Sequence, residues 1–130
     1  MSMQESYLQQ EAVAWFRFQF PKYEKVLIHV PNEGKRNTKM VRTKYGMKVV
    51  CSGGARLKAE GLVAGVADLL LLTPNKEYGS LAIEMKTPTG RLSDSQKAWR
   101  EEFEKAGNKY VVCRTFEQFM CEVVDYMKNK

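Results

Sequence analysis

Three charged side chains near the middle of the sequence have types and spacings suited to hydrolysis of a phosphodiester bond. Glu84 and Lys86 flank Met85, and alternate residues of a β-strand point to the same face of a sheet. Asp68 comes directly before the apolar run at residues 69–72, where an unpaired carboxylate would be costly unless a counter-charge or a metal ion stabilised it. We therefore expect Asp68 and Glu84 to lie on adjacent strands, with Lys86 beside them.

This set of side chains could bind a divalent cation. Carboxylate oxygens are ligands that Mg²⁺ and Mn²⁺ accept, and a backbone carbonyl and water could complete the shell around Asp68 and Glu84. The ion would lower the pKa of a bound water, while Lys86 orients that water or stabilises developing negative charge. An isolated Glu-x-Lys triplet is more often a structural ion pair at a sheet edge, formed with Glu84 or Asp68. The triplet alone therefore does not establish this chemistry.

Two further polar residues extend the candidate site. Glu11 falls in a helical stripe with Trp15 and Phe18, which predicts that its carboxylate faces the core side. A helix-edge glutamate that reaches solvent or a lysine explains the same pattern equally well. Gln96 shares a helix face with aromatic residues, but it also stands three residues after Ser93, the spacing of a capping box. That capping role is a sufficient structural reason for a glutamine at this position.

The elements that must hold these residues alternate between helices and strands. Apolar periodicity, together with proline, glycine and capping residues, predicts the order α-β-α-β-β-α-β-α. The predicted helices span residues 5–20, 52–60, 93–106 and 115 onward, and the predicted strands span residues 25–30, 65–73, 80–86 and 109–114. We expect residues 1–130 to form a single α/β domain with a central mixed β-sheet flanked by helices.

The charge of the chain favours an acidic partner. The formal net charge is +6, and nucleic acid is the commonest partner of such a protein, although a merely basic soluble protein is the alternative. The most basic stretch, residues 35–48, is interpreted as an exposed loop or arm. Side chains that could neutralise DNA phosphates, or could simply be solvated, are those of Lys35, Arg36, Lys39, Arg42, Lys44, Arg56 and Lys58.

The cysteines and the apolar segments bear on location. Cys51, Cys113 and Cys121 are an odd number without C-x-x-C spacing, which is typical of reduced thiols rather than of a disulfide framework or a zinc site. No apolar run approaches the length of a membrane span, and the polar N-terminus does not match a signal peptide. We expect a cytoplasmic protein without membrane contact.

Taken in order, these residues resemble the VRR-NUC branch of the PD-(D/E)XK nucleases. The resemblance joins Glu11, Gly-Val-Ala-Asp at residues 65–68, Glu-Met-Lys at residues 84–86, Gly-Arg-Leu-Ser at residues 90–93 and Gln96. The ordered combination is far more specific than any single motif, and it extends over residues 11–119. Ala67 stands where the family pattern has proline, but the carboxylate that a metal requires is kept at Asp68.

The resemblance implies a restriction-endonuclease-like core and a Mg²⁺ or Mn²⁺ site made by Asp68, Glu84 and the carbonyl oxygen of Met85. The catalytic and supporting residues that it implies are Lys86, Asp68, Glu84, Glu11 and Gln96. It also implies a structure-selective DNA endonuclease similar to four-way (Holliday) junction resolvases, which predicts branched DNA as the substrate and a homodimer. A DNA-binding module without chemistry and a structural subunit of a DNA-repair complex are the alternatives.

Two residues of the first predicted strand complete the set. His29 and Asn32 also resemble the family's pattern there and could lie near the metal or the phosphate. A sole histidine is more often structural.

Overall fold

Two compact units make up the chain. The larger comprises Met1–Asn32 and Gly65–Lys130, and the smaller comprises Glu33–Ala64. A computed structural model describes residues 1–31, 38–51 and 54–130. The helices are α1 (Met3–Gln19), α2 (Gly54–Ala59), α3 (Asp94–Lys105) and α4 (Phe116–Lys128), and a 3-10 helix spans Pro21–Val26. The strands are β1 (Leu27–His29), β2 (Thr38–Thr43), β3 (Gly46–Cys51), β4 (Leu69–Leu71), β5 (Leu81–Met85) and β6 (Lys109–Cys113).

The larger unit contains a four-stranded sheet in the order β1-β4-β5-β6. β4 pairs antiparallel with both β1 and β5, whereas β5 pairs parallel with β6 across α3. Strands of both orientations therefore meet in one sheet, which confirms the predicted α/β class with a central mixed sheet.

Helices cover both faces of this sheet. Phe16 of α1 and Phe119 of α4 pack with Ile83 and other buried residues on one face. On the other face, Trp99 and Phe103 of α3 pack against a smaller buried cluster. Alternate residues of β5 consequently enter two different apolar layers, and this explains why the whole strand is buried.

The sequence sets the helix ends through caps. Ser93 caps α3 and forms a capping box with Gln96, as its spacing predicts. Thr115 caps α4 through the backbone N–H of Gln118. Both predicted starts are thereby confirmed.

The smaller unit differs from the prediction. Residues 38–51 form the antiparallel β2–β3 hairpin, although this basic stretch was predicted to be a loop or arm. Thr43 pairs with Gly46 across a two-residue turn, and Gly46 has a φ of +119°, a backbone conformation that glycine adopts readily. A hairpin held by backbone hydrogen bonds and closed by such a turn needs no regular spacing of apolar residues, so apolar periodicity does not predict it. Within the described residues, the observed order therefore has two more strands than the predicted one.

The strand that follows Asp68 is shorter than predicted. β4 begins at Leu69 rather than at Gly65, because the preceding residues form a turn. Leu71 is fully buried, but Leu72 is 50% exposed, so burial of the apolar run at residues 69–72 does not extend to its last residue. Leu72 lies beyond the end of the strand and alternates to the face opposite Leu71.

The last helix keeps its methionines partly covered. Met120 and Met127 are both only partly exposed, and Met127 packs against the core. None of the helices in residues 1–31 and 54–130 combines the length and apolar composition that crossing a bilayer requires.

Candidate active site

The sheet register brings the two predicted carboxylates together. Leu69 pairs with Ile83, and one further step in the same antiparallel register places Asp68 opposite Glu84. Asp68 Oδ2 accepts a hydrogen bond from the backbone N–H of Met85 at 2.8 Å. This bond ties the residue before β4 to the end of β5 and fixes one oxygen of the Asp68 carboxylate.

Glu84 is a buried carboxylate with only one of its oxygens paired. The residue is 3% exposed. Its Oε1 accepts a hydrogen bond from Gln96 Nε2 at 3.1 Å and lies 3.8 Å from Lys86 Nζ. Its Oε2 is buried and has no hydrogen-bond partner among the described residues. The structural ion pair between Glu84 and Lys86 is thus present, but it leaves Oε2 unpaired unless a proton shared with Asp68 or a cation lies beside it.

The electrostatics of the pair favour a bound cation. Burial and the neighbouring Asp68 charge together raise the pKa of Glu84 to about 8, and Lys86 only partly opposes them. Burial also raises the pKa of Asp68, against the lowering effect of the Met85 N–H. Two negative charges at this position are therefore unfavourable without an added positive charge.

The residues present fit a hard divalent cation. The carboxylates of Asp68 and Glu84, including the unpaired Glu84 Oε2, provide oxygen ligands of the kind that Mg²⁺ accepts when waters fill the remaining positions. In the part of the chain that the structure describes, no group of three His, Cys, Asp or Glu residues could hold a metal. The predicted contribution of the Met85 carbonyl stays a prediction.

The loop after β5 positions the stem of Lys86. A Cβ atom at Gly90 would lie 3.5 Å from Lys86 Cδ and 3.0 Å from Thr87 Oγ1, so the small residue allows this close packing. Arg114 Nη1 donates hydrogen bonds to the carbonyl oxygens of Thr87 at 2.8 Å and of Gly90 at 2.6 Å. Lys86 is therefore flanked by a turn that Arg114 holds in place.

The predicted face of α1 is wrong. Glu11 is exposed, and Phe18, which was expected to share its buried stripe, is 81% exposed. The buried stripe consists instead of Gln9, Ala12 and Phe16. Glu11 does not reach the core side, but it lines a cavity of about 280 Å³ next to Lys86.

Glu5 is an α1 carboxylate whose charge acts on Asp68, and sequence reasoning missed it. Its side chain is partly buried, and its charge raises the pKa of Asp68. Glu5 also closes a capping box with Ser2 at the start of α1. The signal was available, because Ser-x-x-Glu spacing marks a helix start and places Glu5 one helical turn before Gln9.

Gln96 closes the predicted capping box and also contacts the buried carboxylate. Its Oε1 accepts a hydrogen bond from the backbone N–H of Ser93 at 2.8 Å, while its Nε2 donates to Glu84. One side chain thus caps α3 and orients the buried carboxylate.

Gly65 brings the segment before Asp68 against the start of α3. Its φ is +84°, and a Cβ atom there would lie 2.2 Å from the backbone oxygen of Ser95. Only glycine permits this approach. The Gly-Val-Ala-Asp motif therefore has a packing reason for its first residue and a chemical reason for its last.

His29 lies beside the backbone of Asp68. Its Nδ1 is 2.8 Å from the Asp68 carbonyl oxygen and 3.0 Å from Gln9 Nε2. The carbonyl oxygen can accept a proton from Nδ1, whereas the Gln9 amide nitrogen can only donate to Nδ1, so the two contacts require different tautomers of the ring. Asn32, the other residue of this predicted pattern, lies outside the described residues.

The cations predicted to contact DNA belong to the smaller unit. Lys35 and Arg36 lie outside the described residues, and so does the side chain of Lys39. The exposed side chains are those of Arg42, Lys44, Arg56 and Lys58. Arg56 is also paired with Glu60 at 2.6 Å. Phosphate binding by these residues stays a prediction.

Comparison with known proteins agrees with the geometry. The VRR-NUC domain model matches residues 3–117. A solved structure described as a VRR_NUC domain protein superposes with a TM-score of 0.76 at 21% identity, covering 99% of this chain and 92% of that one. No curated protein matches the chain. The four-stranded sheet, the paired carboxylates and the family match lead to one conclusion: the chain belongs to the VRR-NUC domain family and is a nuclease-type domain.

Proposed function

We propose that this protein is a Mg²⁺- or Mn²⁺-dependent endodeoxyribonuclease that uses Asp68, Glu84 and Lys86 to hydrolyse phosphodiester bonds. The observation that carries the proposal is the buried Asp68–Glu84 pair, in which Glu84 Oε2 lacks a partner among the described residues and burial raises both pKa values. A divalent cation would relieve this unfavourable arrangement.

Each side chain has a distinct task in the proposed reaction. When bound, the cation would lower the pKa of an attacking water and offset charge on the phosphate. Gln96 and the Met85 N–H hold one oxygen of Glu84 and one of Asp68, so the other oxygen of each carboxylate would be available to the cation. Lys86 Nζ is within 3.8 Å of Glu84, where it can donate a hydrogen bond to a phosphate oxygen as negative charge develops.

The preferred substrate and the assembly belong to the same proposal. We propose branched DNA, in particular a four-way junction, because of the resemblance to the junction resolvases of the family. A homodimer would suit such a substrate, since paired symmetrical cuts need two active sites related by a twofold axis.

Cleavage assays on matched DNA substrates test the proposal. Linear, flapped and four-way substrates of the same sequence would be incubated with purified protein and Mg²⁺, Mn²⁺ or EDTA. The proposal predicts metal-dependent cutting that is fastest on the four-way substrate. Mass measurement of the protein with and without DNA tests the dimer.

Two results would count against parts of the proposal. Equal cutting of all three substrates would remove the junction preference and leave a general nuclease. Binding without cleavage in every metal would instead favour the DNA-binding module, in which the Glu84–Lys86 pair is structural.

A further inference from the structure

Arg114 lies beside the candidate site without belonging to the predicted set. It follows β6 directly, and the backbone N–H of Lys86 donates to the carbonyl oxygen of Cys113, the residue before it, at 3.0 Å. Its Nη1 contacts the carbonyl oxygens of Thr87, Pro88 and Gly90 at 2.8, 3.5 and 2.6 Å. The guanidinium group is therefore held in a fixed orientation next to the loop that follows Lys86.

Arg114 forms no close ion pair with a carboxylate among the described residues. Its side-chain hydrogen bonds all use Nη1 and neutral carbonyl oxygens. A guanidinium group has five N–H donors, so those on Nε and Nη2 have no hydrogen-bond acceptor within the described part of the chain. A partly buried, oriented cation with unused donors is suited to an anion.

Arg114 and Lys86 line the same cavity of about 280 Å³. Its walls also include Tyr7, Leu8 and Pro88, which offer apolar surface, and Glu5 and Glu11 from α1. Glu5 is engaged with the backbone of Ser2, so it is not simply a partner for the arginine. The cavity therefore joins Lys86, one of the proposed catalytic residues, to the loop that Arg114 holds.

We propose that Arg114 binds a DNA phosphate that neighbours the scissile one. The planar guanidinium can bind phosphate oxygens through two N–H groups, and its anchoring by carbonyl oxygens lowers the cost of ordering it. Lys86 would thus act on the phosphate being cut while Arg114 fixes the position of the strand. The inference rests on the proposed nuclease function and deepens it by naming a second phosphate contact.

A double-mutant cycle that combines a substitution in the protein with a modified phosphate in the DNA tests this contact directly. Single phosphates on either side of the cut would be replaced, one at a time, by uncharged methylphosphonates. These substrates would be cut by the wild type and by Arg114→Gln, which removes the charge but keeps an N–H donor for the loop. Arg17→Gln is the matched control, because Arg17 is exposed on α1 and lies 4.0 Å from Glu24.

The expected result is coupling at one phosphate. On unmodified DNA, Arg114→Gln should reduce kcat/KM about tenfold or more, as expected for loss of a charge-assisted contact. The wild type should show a similar loss at one methylphosphonate position, where Arg114→Gln causes no further loss. Arg17→Gln should behave like the wild type throughout.

Two results would overturn the inference. One is an Arg114→Gln defect that persists at every methylphosphonate position, since this would show only a loop-holding role. The other is no defect at all. The same cycle can be measured as DNA affinity without divalent metal, which does not depend on cleavage. Absence of coupling between Arg114→Gln and every methylphosphonate in that measurement would likewise overturn the inference. Failure of the wild type to cut DNA, with coupling in binding intact, would remove the proposed function but not the phosphate contact.

Discussion

Gln96 donates a hydrogen bond from Nε2 to Glu84 Oε1 at 3.1 Å, while the opposite end of its amide caps the helix that carries it. The capping bond restrains the glutamine, and the glutamine in turn restrains a carboxylate that is almost fully buried. Helix α3 is thereby coupled through one side chain to the proposed metal position. Contacts of this kind, behind the metal ligands, commonly influence metal affinity and rate.

Substitutions of Gln96 should separate its two roles. Gln96→Glu keeps an oxygen for the Ser93 N–H but cannot donate to Glu84 while it is ionised, whereas Ser93→Ala removes the cap and leaves the Glu84 contact. We expect Gln96→Glu to lose about 10- to 100-fold in cleavage rate. Ser93→Ala should lose about 1 kcal/mol of stability and little activity. Single-turnover rates and urea unfolding measure both quantities, and equal activity losses in the two variants would contradict this division.

The stability of the metal-free protein should fall as pH rises. Burial and the Asp68 charge raise the pKa of Glu84 from 4.5 to about 8, so between these values the folded state holds more protons than the unfolded state. The stabilisation present below pH 4.5 is therefore lost progressively as the pH approaches 8, with a slope of up to about 1.4 kcal/mol per pH unit. Urea unfolding in EDTA across this range checks the slope.

Glu84→Gln is the control for that pH dependence. The variant should be more stable than the wild type near pH 8 and should show a flatter profile, because the raised group is gone. Added Mg²⁺ should stabilise the wild type at pH 8 more than at pH 5. An identical slope in wild type and variant would assign the dependence to other groups.

Gly65→Ala should destabilise the protein far more than Gly107→Ala. Both residues have positive φ, +84° and +93°, so each substitution incurs backbone strain of about 1–2 kcal/mol. A Cβ at Gly65 would also collide with the Ser95 backbone, whereas at Gly107 nothing lies within 4 Å. Thermal unfolding of the two variants compares them, and equal losses would refute the close approach to α3.

Glu5 rather than Glu11 should influence the Asp68 carboxyl. Because the Glu5 charge raises the pKa of Asp68, Glu5→Gln should lower that pKa while keeping the oxygen that serves the capping box. Glu11→Gln, on the exposed face of the same helix, should leave it unchanged. Carboxyl ¹³C NMR titration of the metal-free variants measures the shift. A larger shift of the Asp68 pKa in Glu11→Gln than in Glu5→Gln would instead support the sequence-based prediction that Glu11 belongs to the site.

The sequence was most informative where one short pattern determined both structure and chemistry. The pairing of Asp68 with Glu84 could be predicted because each residue adjoins or lies in an apolar run with clear strand character. The position of Gln96 could be predicted from its capping-box spacing. The sequence predicts the wrong face for Glu11 because the helical stripe that contains it also contains Phe18. Phe18 is exposed, as single large apolar residues often are.

Two other features depend on contacts that periodicity does not describe. The β2–β3 hairpin is defined by a backbone ladder and a turn rather than by an apolar repeat. The role of Arg114 depends on three carbonyl oxygens more than 20 residues away in sequence. Neither feature leaves a local pattern that distinguishes it from an ordinary basic segment or surface arginine.

Single-turnover cleavage of a four-way DNA substrate in Mn²⁺ by the wild type, Asp68→Asn and Lys86→Met tests the central claim most directly. The account predicts cutting by the wild type and a loss of at least about a thousandfold in both variants. Asp68→Asn should unfold at a temperature close to or above that of the wild type, whereas Lys86→Met, which leaves buried Glu84 without its cation, should unfold at a lower temperature but remain folded in the assay. Cleavage by either variant at the wild-type rate would contradict the assignment of Asp68, Glu84 and Lys86 as the catalytic centre.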